Sequence, residues 1–327
     1  MINILISPDN KYTMPCGITI CSICENNIEE EITFYVLTDQ HFTKQNFTNL
    51  QQLVSKYKYK HIVHTIIDTQ KVNSLVDLSS TYYPVQAAFR LFCAELLPKD
   101  VEKIIYFDCD IIVRHSLAEM WAIDISEYSV GCVPDGLSGN MEFYNRLSYP
   151  YEEGYFNSGS MIINLKYWRD HDVSRKFVEF FTMNPQKIFL FDQDTLNYVL
   201  RYSKKTIDFK FNLQASFLYN LRKKRYDYTT FKDKLLPAIK DPVVLHFSGI
   251  RPWIKYSYHP YINSYYYYKG LTQWKDEPLW NPHFIKQFGL LYYIKEIFRD
   301  KLSEFGLCNP RCVIYDPDIV EYGKNFI

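Results

Sequence analysis

The chain has 327 residues, enough to bury a sizeable core, and lies between one large domain and two ordinary ones. Lys plus Arg and Asp plus Glu each number 37, so no overall field calls for nucleic acid or an acidic substrate. No apolar window approaches membrane-spanning length, and Met1–Ser7 has neither a basic lead nor an apolar stretch long enough for a signal peptide, so a cytoplasmic protein is expected.

Strands and helices alternate through the first half of the chain. Ile2–Ser7 reads as a strand, Pro15–Glu25 as a helix, Ile32–Thr38 as a strand and Lys44–Lys56 as a helix. Ile62–Ile67 is again strand-like, Val85–Leu97 helical and Lys103–Phe107 a strand. This rhythm predicts an α/β fold with a mainly parallel sheet and right-handed crossovers. Val130–Val133 and Ser160–Leu165 supply further strands, separated by the polar stretch Pro134–Gly154, which reads as a long loop. Val173–Thr182 and Asp194–Tyr202 are helical, and Pro242–Phe247 returns to strand.

The most informative stretch follows the apolar run Lys103–Phe107. Asp108-Cys109-Asp110 places two acids where a buried strand cannot keep them unpaired. Residues two apart on an extended backbone face one side, so the two carboxylates offer hard oxygen donors to a divalent cation at a sheet edge. An ordinary strand-to-turn junction also attracts Asp, so the motif needs company. His246 ends the apolar strand Val243–Leu245, where a histidine is more often a satisfied core residue than a ligand.

Eight cysteines include the close pairs Cys21/Cys24 and Cys308/Cys312, with the spacing of a zinc or redox site. Cys16, Ile20, Cys21 and Cys24 equally fit the buried stripe of a helix, and Cys109 and Cys132 sit within apparent strands, so structural thiols are the favoured reading. Arg222–Arg225 is a basic run best read as a solvated face. Beyond Pro252 the chain turns aromatic and basic. It holds Tyr265–Tyr268 and, between Arg251 and Lys301, eight Lys or Arg against four Asp or Glu. Phe284, Phe288, Leu291, Ile294, Phe298, Leu302 and Phe305 recur at helical steps. This amphipathic helix either packs on the domain or lies at a membrane surface through 281–305.

Taken in order, Ser7-Pro-Asp9-Asn-Lys-Tyr12, Ala87-Ala-Phe-Arg90-Leu, Tyr106-Phe-Asp108-Cys109-Asp110, Tyr155-Phe-Asn157-Ser158-Gly159, Asn164-Leu-Lys-Tyr-Trp168, Phe191-Asp192-Gln193-Asp194 and His246-Phe-Ser-Gly249-Ile-Arg251-Pro-Trp253 resemble glycosyltransferase family 8. That family contains bacterial lipopolysaccharide galactosyl- and glucosyltransferases and, more distantly, glycogenin. The resemblance covers roughly residues 1–255 and implies a GT-A type nucleotide-diphosphosugar transferase domain there, with 256–327 as an aromatic, basic helical extension. It implies a retaining hexosyltransferase that uses a UDP-sugar donor and a glycan or glycolipid acceptor, with Mn²⁺, or secondarily Mg²⁺, on Asp108, Asp110 and His246. The nucleotide falls to Ser7, Asp9, Tyr12, Arg90, Asp108, Cys109, Gly249 and Arg251. The sugar falls to Asp135, Asn157, Ser158, Asp192 and Gln193, with Gln193 and Asp192 nearest the chemistry.

The residue types suit these roles. Tyr12 can stack on a base, and Asp9 can accept from a base N–H or a ribose hydroxyl, or cap a helix. Arg90 suits a pyrophosphate or an acidic neighbour, with a surface salt bridge as the alternative. Asp192 can bind a hydroxyl, act as a nucleophile or cap the helix starting near Asp194. Two departures stand out. The stretch after Gly249 is one residue short and carries Arg251 where the family has Lys, and Ala87-Ala88 replaces residues that commonly carry hydroxyls. Three other readings stand beside it: a UDP-sugar or phosphoester hydrolase using the same Asp108 and Asp110, a non-catalytic sugar- or surface-binding protein, and, from the run Tyr265–Tyr268, a self-glucosylating protein.

Overall fold

The computed structural model describes residues 1–75, 85–218, 232–249 and 251–280, apart from 256, 258 and 260, and the isolated positions 298, 302 and 307. The Arg222–Arg225 run, Cys308 and Cys312 lie outside these residues. Of the 281–305 stripe, Phe298 and Leu302 are described and both are exposed.

Seven strands form the main sheet: β1 (Ile2–Ile6), β2 (Ile32–Asp39), β3 (Lys60–Ile67), β4 (Lys103–Phe107), β6 (Val130–Pro134), β7 (Phe156–Asn164) and β8 (Lys204–Thr206), in the order β3-β2-β1-β4-β7-β6-β8. Among the described residues all pairs of this sheet are parallel except β4/β7 and β7/β6, so there β7 alone runs against the rest. The mainly parallel sheet expected from the alternation is present. Its central strands are apolar without a break because both faces are covered. Ile2, Ile4 and Ile6 of β1 point into one core, together with Ile105 and Phe107 of β4. Leu5, Ile104 and Tyr106 point into the other.

The first face carries α1 (Thr13–Glu25), α2 (Lys44–Val54) and a small second sheet, β5 (Ile111–Val113), β10 (Val244–His246) and β9 (Leu213–Gln214), in the order β5-β10-β9. Every residue of α1 from Thr13 to Cys24 is buried, which is why that helix is apolar all round. Cys16, Cys21 and Cys24 lie in it as buried free thiols. The other face is covered by the short helices α4 (Gln86–Phe89) and α5 (Cys93–Leu96), then α8 (Leu165–Asp170), α9 (Val173–Met183) and α10 (Phe191–Leu200). Residues assigned by sequence to the C-terminal segment also join the core. In α12 (Ile262–Leu271), Tyr265 and Tyr268 are buried, and the Trp274 ring lies so close to Gly17 of α1 that a Cβ there would stand 2.0 Å from it.

Several expected boundaries move. Val85–Leu97 is not one helix, because its middle tightens to a 3-10 turn at Arg90–Phe92, where the Arg90 side chain turns inward. The stretch Pro134–Gly154 is not a plain loop. It contains α7 (Met141–Leu147), started by Asn140, whose side chain accepts from Glu142 N. β7 begins at Phe156 rather than Ser160, and α10 at Phe191 rather than Asp194. Both shifts bring motif residues into regular elements. β5, β8, β9, α6 (Ala118–Ala122) and α8 are short pieces that carry too little periodicity to read from sequence.

Candidate active site

The cleft lies where parallel strands of an α/β sheet end, as ligand sites in such folds do. Asp108 follows β4 directly, Asp110 precedes β5 and His246 ends β10. Their approach does not come from strand alternation, since β4 stops at Phe107 and Asp108–Asp110 is a turn. It comes from pairing in the second sheet, where His246 stands opposite Ile111 in antiparallel register. Thr19 Oγ1 of α1 fastens the turn by donating to Cys109 O and Ile111 O (3.1 and 2.8 Å). Cys109 is therefore in this turn and half-buried, not inside a strand, while Cys132 is buried in β6.

His246 Nε2 lies 3.2 Å from Asp110 Oδ1 and 3.8 Å from Asp108 Oδ2, and one ligand atom from each of the three residues falls within 4.8 Å of the others. The other Asp108 oxygen, Oδ1, accepts from Arg90 Nη2 and Tyr106 OH (2.7 and 2.8 Å). Gly159 of β7 makes the space beside them. A Cβ there would sit 2.3 Å from His246 Cε1 and 2.6 Å from Asp108 Oδ2. Burial disfavours a charge on His246, but Asp110 and Asp108 outweigh it and raise its pKa. Burial likewise opposes charge on Asp110, whose pKa the imidazole nevertheless lowers.

The expected sugar residues are adjacent and interlocked. Arg90 is buried, not a surface ion pair: it bridges Asp108 and Asp192 (Nη1 to Asp192 Oδ2, 3.2 Å) and also donates to Ser158 O. Burial would discharge it, yet the Asp108 and Asp192 carboxylates hold its pKa above the ordinary value. Ser158 Oγ donates to Asp192 Oδ2 (3.0 Å), and Ser158 N to Gln193 Oε1 (3.1 Å). Asn157 Nδ2 donates to Asp135 Oδ2 and Gln193 Oε1 (2.9 and 3.2 Å), while Gln193 Nε2 donates to Asp135 (3.2 Å). Burial raises the pKa of both Asp135 and Asp192, against the hydrogen bonds and the guanidinium that lower them. Asp192 does not cap α10, which has no side-chain cap bond.

The residues expected to meet a nucleotide line the same cleft, whose volume is about 620 Å³. Asp9 Oδ1 accepts from Tyr12 N (2.8 Å), so one oxygen shapes the turn into α1 as a capping Asp would. The Tyr12 ring is held edge-on by Trp253 and Trp280, with centroids at 5.5 and 6.3 Å. Gly249 adopts φ +77°, a backbone that favours glycine. Arg251 is exposed at the rim.

Sequence reasoning missed four contributors. Gln86 lines the cleft and donates to Asp39 (2.9 Å). Asn212 bonds His246, and Gly159 was noted only as part of a motif. Asp194 is fully buried and accepts from Arg146 Nη1 and Nη2, Tyr155 OH and the backbone of Phe189 and Leu190 (2.6–2.9 Å). Asp194 thereby anchors the turn in which Phe191, at φ +24°, leads into Asp192 and Gln193. A buried acid just past a helix start was the available signal for Asp194, whereas nothing local marks Asn212.

A mainly parallel sheet between helices, with two carboxylates and an imidazole gathered beside a cleft, is the architecture of the GT-A type fold. The family model for glycosyl transferase family 8 matches residues 3–256, and the chain belongs to that family: it is a glycosyltransferase. It is 27% identical over 315 residues to the lipopolysaccharide 1,3-galactosyltransferase of Salmonella typhimurium, covering 93% of this chain and 88% of that one. It is also 27% identical to general stress protein A of Bacillus subtilis (84% of this chain, 95% of the relative) and to a lipopolysaccharide 1,2-glucosyltransferase of Escherichia coli (83% and 78%). Among solved structures, galactosyltransferase LgtC in complex with donor and acceptor sugar analogs shares the fold, with a TM-score of 0.74 at 21% identity over 84% of this chain and 99% of that one. Among the described residues no helix is long and apolar enough to cross a membrane.

Proposed function

We propose that this glycosyltransferase moves a hexose, galactose or glucose, from a UDP-sugar to a hydroxyl of a glycan acceptor, with retention at the anomeric carbon and dependence on Mn²⁺. The reaction is read as part of the synthesis of lipopolysaccharide or another surface polysaccharide on the cytoplasmic side, and the relatives named for lipopolysaccharide support that choice of glycan. One observation carries the reading: Asp108, Asp110 and His246 open into the same cleft as Asn157, Asp192 and Gln193.

The trio fits a divalent cation. Asp108 Oδ1 is engaged by Arg90 and Tyr106, Oδ2 faces His246, and Gly159 leaves the neighbouring space clear. Asp108, Asp110 and His246 would hold the ion, and a mixed imidazole and carboxylate set favours Mn²⁺ over Mg²⁺. When bound, the ion supplies Lewis-acid charge neutralisation at the diphosphate.

Tyr12 and Asp9 take the nucleoside, and Ser7, the Cys109 turn, Gly249 and Arg251 line the path of the ribose and diphosphate. Asp135, Asn157, Ser158 and Asp192 orient the sugar. Retention proceeds by same-face attack on an oxocarbenium-like ion pair positioned by Gln193, and the departing diphosphate takes the acceptor proton. Two facts support that route over a covalent one. An amide is a poor nucleophile, and Asp192 Oδ2 is already held by Arg90 and Ser158. The test is NMR of the product formed from α-linked UDP-galactose and UDP-glucose with Mn²⁺ and oligosaccharide acceptors. An α-linkage is expected. A β-linkage overturns retention, and release of free hexose without transfer would favour the hydrolase.

A further inference from the structure

We infer that Asn212 is a positioning residue that fixes the tautomer of His246 and joins the metal end of the cleft to its sugar end; the inference rests on the metal reading above. Asn212 is fully buried in the turn before β9, outside every motif of the chain. Its Oδ1 lies 3.0 Å from His246 Nδ1, and its Nδ2 lies 2.9 Å from Asn157 Oδ1.

The directions of these bonds follow from partners that have no choice. The backbone N–H of Gly159 can only donate, and it meets Asn157 Oδ1 at 3.0 Å. The other end of the Asn157 side chain meets the Asp135 carboxylate at 2.9 Å, so it must be the NH₂ group. Asn157 Oδ1 is thus the acceptor, Asn212 presents its NH₂ to it, and the Asn212 oxygen faces His246. An oxygen there demands a proton on Nδ1. When the ring is neutral, its Nε2 lone pair then points toward the space between Asp108 and Asp110, which is the form a metal-binding imidazole needs.

The chain of contacts continues beyond the imidazole. Asn157 Nδ2 also donates to Gln193 Oε1, so His246, Asn212, Asn157 and Gln193 form one line of hydrogen bonds with every member buried. A backbone N–H at one link therefore sets both the ring orientation of the metal ligand and the amide orientation at the reaction face. Buried networks of this kind act as units, because reversing one amide leaves its neighbours with like groups opposed.

Two substitutions separate the two ends of the line. Asn212→Leu is close in size and removes both bonds. Asn212→Asp keeps an acceptor for Nδ1–H but sets a second oxygen against Asn157 Oδ1. Mn²⁺ affinity is read directly from the EPR signal of free ion, without donor or acceptor, with thermal unfolding recorded beside it. Asn212→Leu should weaken Mn²⁺ binding by about 10- to 100-fold, the range seen when the outer partner of a metal ligand is lost. Asn212→Asp should bind Mn²⁺ within about threefold of wild type while its transfer kcat falls at least about 10-fold, because Asn157 and Gln193 lose their orientation. Equal Mn²⁺ affinity in wild type and a folded Asn212→Leu protein overturns the proposal, as does parallel loss of affinity in both variants. Wild-type protein that takes up no Mn²⁺ overturns the metal reading itself and this inference with it. NMR of ¹⁵N-histidine in the wild-type protein loaded with Zn²⁺ decides the matter even if neither variant folds. A slowly exchanging proton on His246 Nδ1 is expected, and a proton on Nε2 refutes the assignment.

Discussion

At the end of the cleft proposed to hold the sugar, Arg90, Asn157, Ser158, Asp192 and Gln193 are all buried, and each is hydrogen-bonded or ion-paired to at least one other of the five. At the mouth proposed to take the nucleotide, Asp9 and Tyr12 are half-buried, Gly249 and Arg251 are exposed, and Ser7 Oγ has no hydrogen-bond partner among the described residues. The inner side chains already satisfy one another, whereas the mouth holds in Ser7 Oγ a donor that a ligand would satisfy. A preorganised inner end suits stabilisation of developing charge, because its dipoles need not reorient at the moment of reaction. An open mouth suits capture and release.

If that contrast is right, damage to the inner end should appear in kcat and in folding, and damage to the mouth in KM. The largest effect is expected from Gly159→Ala, which puts a methyl group into the space between His246 and Asp108. Transfer should fall by about 10³-fold, equivalent to about 4 kcal/mol of barrier, together with loss of Mn²⁺ uptake. Unchanged Mn²⁺ binding in that variant would move the ion elsewhere. Asp110→Asn should reach a similar loss through removal of a charged donor, with the fold intact by circular dichroism.

Arg90→Met comes next and tests the interior directly. It leaves Asp108 and Asp192 without their shared cation, so urea unfolding should show a stability loss of about 3–5 kcal/mol. Arg90→Lys should recover part of this, since an ammonium cannot span two carboxylates as a planar fork does. An Arg90→Met protein as stable as wild type would show that the inner end is not held by its ion pairs. At the mouth the effects should be modest. Ser7→Ala and Arg251→Lys should each raise the donor KM by about 3- to 10-fold and leave kcat within about twofold, as expected when uniform binding is lost. A kcat defect without a KM change would erase the distinction between the two ends.

The smallest effect concerns the core behind the mouth. His259 is buried against Phe247, and burial lowers its pKa from 6.5 to about 3. The unfolded chain takes up that proton below about 6.5, so the stability contributed by the neutral ring is complete above that pH and is lost as pH falls toward about 3. A His259→Phe protein should therefore show a flatter unfolding midpoint across this window than wild type. Parallel curves would place the His259 pKa near its ordinary value.

The layers of the fold were legible because local patterns report them. Unbroken apolar runs mark strands covered on both faces, and the alternation with helices fixes a parallel sheet. Asp108, Asp110 and His246 were legible because charged or ionisable groups at the ends of apolar strands need a reason to be there. What could not be read was the way these residues meet. Strand alternation suggested that the two acids share a face, whereas the turn after Phe107 and the pairing of β5 with β10 bring them to the imidazole. Asn212 stands 34 residues from His246 in sequence, and Gly159 matters for a side chain it lacks. Neither property leaves a local trace. The α7 helix hid in a polar stretch because seven residues carry barely two turns of periodicity.

The lone reversed strand has one more consequence. Asp108 N donates to Gly159 O at 2.8 Å, continuing the ladder in which Phe107 faces Ser160. The space beside the two acids and the imidazole is therefore kept open by the register of β4 against β7. A slip of one residue would present Ser158 or Ser160 in place of Gly159 and turn alternate side chains to the opposite face. Molecules misaligned at this ladder would lose the buried packing of β7, and the space beside the two acids and the imidazole would be filled as well. Under the proposed metal reading, ion uptake by a freshly refolded sample would therefore report the alignment of this one ladder.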